Sequence, residues 1–144
     1  SATLLTAASP TSTGSEAITG VGFKPQFAMG LYGSALANDT LYTDGNAESW
    51  GLGLITAAAS ACVGMASDDG VSPSNTESLT DSLALCLRKD AALFQAASLT
   101  TFDSDGMTLD NTTANGTARQ RIFLFVQESV AAEVGHNRRV VQLP

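Results

Sequence analysis

Hydrophobic and polar positions alternate along this chain in short runs. Gln26–Tyr32 carries Phe27, Met29 and Leu31 on one face, between Pro25 and Gly33. Trp50–Ala58 sets Trp50, Leu52 and Leu54 against Gly51, Gly53 and Ile55. Leu83–Arg88 places Leu83, Leu85 and Leu87 opposite Ala84 and Cys86; Leu93–Thr101 also alternates, and Cys62–Ser67 and Met107–Leu109 are shorter. Arg119–Gln127 is the strongest run: Ile122, Leu124 and Val126 alternate with Arg121, Phe123 and Phe125, so both faces are expected to be covered. Alternation with period two marks strands, and no stretch repeats apolar residues at helical spacing between caps. Clusters of Gly, Asn, Asp, Ser and Pro interrupt the runs about every ten residues, the rhythm of an antiparallel β-sandwich.

The turns add detail. Asp103-Ser-Asp-Gly106 between apolar runs predicts a hairpin over Leu93–Asp110, because Gly takes positive φ without steric cost. A second turn at Asn111–Thr117 leads into the Arg119 strand, so a three-stranded meander is expected. Gly51 and Gly53 would weaken their strand unless a neighbouring backbone packs close or a bulge sits there. Ala57–Ala61 is compatible with one helical turn, and Trp50 is expected in the core. The ends differ from the middle. Residues 1–17 are rich in Ser, Thr and Ala, and 128–144 contain Glu128, Glu133, Arg138 and Arg139 before Val-Val-Gln-Leu-Pro. The expected division is an N-terminal arm over 1–17, a β-sandwich domain over 18–127 and a C-terminal arm over 128–144. That last arm is either a loose tail or a strand added to a neighbouring subunit's sheet edge.

Composition narrows the function. A chain of 144 residues suits one domain. Hydrophobic residues reach 44% and support a packed core, whereas charged residues are 15% against a usual ~25%. The surface must be polar through Ser, Thr, Asn and Gly, which suits stable protein contacts. Seven Lys and Arg against fourteen Asp and Glu leave no basic footprint for nucleic acid or an anionic membrane. No apolar run nears the ~20 residues that span a bilayer. Ser-Ala-Thr-Leu-Leu at the start lacks a basic region before an apolar one, so no secretory leader is expected.

Reactive groups are sparse. Cys62 and Cys86 form no Cys-x-x-Cys pair, one His cannot complete a zinc site with them, and two buried free thiols are expected, the alternative being a single disulfide between them. His136, the only histidine, sits in Gly-His-Asn-Arg-Arg near the end and reads as a solvated residue. Asp68-Asp69, Asp103/Asp105 and Asp39/Asp44/Glu48 are carboxylate groupings, all in turn-rich segments where Asp serves local backbone bonding. A glycosidase pair would need a cleft and a raised pKa, and the Asp103 run lacks the later ligands of a calcium loop. Trp50, Tyr32 and Tyr42 are a candidate sugar-stacking set. The sequons at Asn38, Asn111 and Asn115 read as turn residues. No catalytic, cofactor-binding or metal residue is assigned.

One ordered set of segments remains. It comprises Ile18-Thr-Gly-Val-Gly-Phe-Lys-Pro-Gln-Phe-Ala-Met, then Trp50-Gly-Leu-Gly, then Ala97-Ser-Leu-Thr-Thr-Phe-Asp-Ser-Asp-Gly-Met-Thr-Leu, then Gly116-Thr-Ala-Arg-Gln-Arg-Ile-Phe-Leu-Phe. Over residues 18–127 this order resembles a β-rich module of tailed-bacteriophage structural proteins, with Met107 where an aromatic residue is commoner. The resemblance implies a virion component and no enzyme. A chain of this size is similar to capsid decoration (cement) proteins, made in the host cytoplasm and seated on the outer surface of the head. It implies a jelly-roll-like sandwich and a homotrimer that binds the major capsid protein, without cofactor, nucleic acid or membrane. The alternative is a receptor- or glycan-binding module of a fibre or tail.

Overall fold

The alternating runs form strands, joined by turns where Gly, Asn, Asp and Ser cluster. The computed structural model describes residues 1–37, 47–68, 75–89 and 92–128. Among these there is no helix, and ten strands follow in order: β1 (Ala2–Ala8), β2 (Gly14–Thr19), β3 (Phe27–Gly33), β4 (Ala47–Thr56), β5 (Ser60–Asp68), β6 (Asn75–Asp81), β7 (Leu85–Lys89), β8 (Ala92–Asp103), β9 (Gly106–Thr113) and β10 (Gln120–Val126). They make two antiparallel sheets. Sheet A runs β1-β10-β3-β4-β5-β6, and sheet B runs β2-β9-β8-β7.

Their inner faces share one core. Phe123, Phe125, Ala28 and Ile55 from sheet A meet Leu85, Leu87, Met107 and Leu109 from sheet B, all fully or nearly fully buried. Burying such a side chain contributes about 1.5–3 kcal/mol, which drives the two layers together.

The glycines of β4 have a specific use. A Cβ on Gly53 would stand 1.8 Å from the Ala84 carbonyl oxygen, and one on Gly51 2.0 Å from that of Cys86. Two residues before Gly51, the Ser49 hydroxyl donates to the Arg88 carbonyl at 2.5 Å. Ser49, Gly51 and Gly53 thus face the carbonyls of Arg88 and Cys86 on β7 and of Ala84 just before it. Alternate carbonyls on a strand point the same way, so a Ser-x-Gly-x-Gly spacing receives an open edge lying against a neighbouring sheet. The expected close backbone approach is what the structure contains.

Charge enters the core at the other side of the molecule. Arg121 on β10 alternates with Phe123 and Phe125, so it points inward and is 1% exposed. Its guanidinium forms a two-pronged ion pair with Glu16 on β2, donates to the Ala8 carbonyl at 2.7 Å, and lies over the Tyr32 and Phe123 rings. Asn111 on β9 adds a hydrogen bond of 3.1 Å to Glu16. Burial pushes the Tyr32 phenol up to about 12, against the opposing pull of its Ser9 hydrogen bond. Just before β10, the Arg119 amide donates to the Ser9 hydroxyl, which donates to Gln95 of β8.

Several expectations are corrected. Residues 1–17 are not an arm: they form β1, which pairs with β10, and most of β2, which pairs with β9. The boundary at residue 18 falls inside β2. The meander is broken after β9, because β10 crosses to sheet A and lies between β1 and β3. Ala57–Ala61 makes no helical turn; Thr56 closes a tight β4–β5 connection by bonding Ala59. Cys62 and Cys86 are not free thiols. They form a disulfide between β5 and β7, with Cα atoms 6.0 Å apart, an ordinary span for such a bond. The expected arm 128–144 lies, beyond Glu128, outside the described residues.

Candidate interaction surface

Because side chains alternate across a sheet, the residues between the inward-facing ones of sheet A point away from the core. In most half-solvated sheets these are polar. Here the central ones are apolar, with hydroxyls such as Thr6, Thr56 and Ser67 at the margins and on β6. One row crosses four strands as Leu4, Leu124, Met29 and Leu54, and a second crosses as Ile122, Leu31, Leu52 and Val63. Trp50 pairs with Met65 beside them. Leu4 is 66% exposed, Trp50 49%, Leu54 47%, Leu31 42% and Ile122 41%. No described segment covers them. Along the six strands, Glu48 at the start of β4 is the one charged side chain that shares this face among the described residues. Sheet B differs: Ser15, Thr19, Asp110 and Thr112 are exposed on its strands.

The polar candidates do not assemble into a reacting centre. Asp105 accepts hydrogen bonds from the Gly20 amide at 3.0 Å and the Gly22 amide at 2.5 Å, and these hold its carboxyl below the ordinary 3.8. Asp103 accepts the Thr108 hydroxyl at 2.7 Å. Both carboxylates secure the β8–β9 hairpin and its neighbour. Glu48 points outward and Asp68 inward on opposite faces of sheet A. Tyr32 is buried against Arg121, whereas Trp50 faces out, so the proposed sugar-stacking set is divided between two faces. Trp50 is also not a core residue, contrary to expectation. Its parity with Leu52 and Leu54 is correct, but that side of the sheet is the open one.

Asn111 is no turn residue. It lies buried in β9, donating to the Gly14 carbonyl and to Glu16. Asn115 does serve a turn, accepting from the Thr117 amide at 3.0 Å. Asn38, Asp39, Tyr42, Asp44, Asp69 and His136 lie outside the described residues. An open cleft of about 360 Å³ lies between Lys24, Gln26, Leu99, Thr101 and Phe102. It presents one ammonium and no carboxylate.

What the arrangement can do is bind by contact. The largest apolar patch on a typical monomer is about 300–600 Å². The five strands that carry these rows, β1, β10, β3, β4 and β5, at ~4.8 Å spacing and ~7 residues of ~3.3 Å rise give a face of roughly 550 Å², at the upper end of that range. The signal for it was present in the sequence: β3, β4 and β10 carry apolar residues on both sides, and among the described residues there is no helix to cover the second side. Neither family models, nor curated proteins, nor solved structures give a match to this chain.

Proposed function

We propose that this chain is a structural component of a phage virion, a decoration protein that stabilises the head by protein–protein contact. The observation that carries this reading is the outer face of sheet A, apolar and nearly free of charge in a chain of net charge -7. A second observation points the same way. The two most distinctive segments of the phage-like pattern, Thr19–Phe23 and Phe102–Gly106, touch in the fold through Asp105. In this reading the sheets form a jelly-roll-type sandwich on the outer surface of the capsid. Its partners are the major capsid protein and further copies of the chain. Its acid excess keeps it from the packaged genome.

The test is addition of the purified chain to undecorated phage heads. Co-sedimentation and a higher temperature of head disruption are expected; neither appearing overturns the proposal. Labelled antibody on virions should mark the shell. Label confined to fibres or tail would favour a receptor- or glycan-binding module instead.

A further inference from the structure

We propose that the outer face of sheet A docks on the same face of a second copy of this chain. The inference rests on the reading above that this face is an assembly contact, and it names the occupant.

Charge is the first argument. Partners of a different kind are usually selected by complementary charges, and like charges set opposite each other repel. A chain with fourteen acids and seven bases repels its own copies over most of its surface. The outer face of sheet A removes that obstacle. Its rows of Leu, Ile, Met and Val offer no charge to be matched, and Glu48 stands at one end of β4. Polar Thr76, Ser78 and Thr80 of β6 border it on one side.

Area is the second argument. A face of roughly 550 Å² per copy is about two thirds of the ~800 Å² per partner of a standard stable interface, and the polar border on β6 adds to the contact. An identical face covers it completely, since a two-fold contact uses the same patch on both partners. Sheets stack at ~10 Å with their strands within about 30°, a geometry open to two untethered copies.

The test uses the full chain. Sedimentation equilibrium should give about twice 14.8 kDa, and a trimer would count against a face that meets its own copy. Leu31→Lys combined with Leu54→Lys places two ammonium groups on half-exposed positions and should yield a single chain with the wild-type circular dichroism spectrum. A wild type that stays a single chain, or a double variant that still associates, overturns the proposal. Trp50 gives an independent readout because it is the only tryptophan. Its emission should shift to shorter wavelength as association proceeds and return on dilution. Emission that ignores concentration overturns the proposal even where the double variant fails to fold. Head binding is scored separately. A chain that associates but ignores heads sinks the decoration reading and leaves this one intact, and a solitary chain that binds heads does the reverse.

Discussion

The Asp105 carboxylate accepts the Gly22 amide at 2.5 Å, joining the β8–β9 turn to the turn that leads into β3 across 83 residues of chain. Its other oxygen takes the Gly20 amide, and the Asp105 carbonyl takes that of Val21 at 3.2 Å. Three consecutive amides thus converge on one residue. Gly20 and Gly22 have φ of 88° and 84°, a conformation that other residues rarely adopt. Gly106, next to Asp105, lies so close to β2 that a Cβ would meet the Ile18 carbonyl at 1.9 Å.

A pH dependence follows. The folded-state pKa of Asp105 lies below its unfolded value, so its contribution to stability is complete above that unfolded value, near 3.8. The contribution disappears as pH falls through the lower, folded-state pKa. Thermal scans from neutral to strongly acid pH should show this loss in the wild type. Asp105→Asn should lower the Tm at neutral pH and narrow its gap to the wild type in acid. A constant gap across the range would refute the clasp.

The glycines of β3, β4 and β5 should rank by the room behind them. Gly53→Ala and Gly51→Ala drive a methyl group into the backbone carbonyls of Ala84 and Cys86, and each should cost about 3 kcal/mol or more. Gly64→Ala should cost less, since its Cβ would sit 3.2 Å from the Cys86 oxygen. Gly33→Ala meets nothing within 4 Å and should be near neutral. Urea unfolding of the four variants checks the order.

Arg121→Met should destabilise by about 3–5 kcal/mol, because it strands the Glu16 carboxylate in a mostly buried site. Adding Glu16→Gln should recover part of that loss, since the remaining group is neutral. A double variant as unstable as the sum of the two single variants would argue against a coupled pair. Chemical denaturation of the three proteins supplies the cycle.

Reducing the Cys62–Cys86 bond should remove about 3 kcal/mol, from a closed loop with a sequence separation of 24. Thiol titration of the unreduced, denatured chain should find none. Two free thiols there would restore the reading made from sequence.

How much was legible depends on where each signal resides. The β8–β9 hairpin was readable because Asp-Gly specifies a turn locally. β3, β4 and β10 were readable from alternation. β1, β2 and β6 were not, because Ala, Ser and Thr sequences fit a strand or a loop equally well and only pairing decides. Crossing of β10 to the other sheet was hidden, since the Asn111–Thr117 turn looks alike whichever sheet follows. Alternation placed Arg121 with Phe123 and Phe125, but its partner Glu16 is 105 residues distant, beyond any local pattern. Trp50 shows the same limit. Parity tells which side chains share a face and says nothing about which face becomes covered. On the structure, Trp50→Ala should cost well below the ~3–5 kcal/mol of a core aromatic.

The pairing of β1 with β10 has a consequence for how the chain is made. Ala2 pairs with Val126, so β1 finds its neighbour only after β10 has left the ribosome. Until then Ala2–Ala8, uncharged and without proline, waits as an unsatisfied ribbon of backbone. Where many nascent copies crowd together, that ribbon is the segment most exposed to capture by another copy's last strand. Yield should therefore respond more to the rate of translation than to the stability of the finished fold.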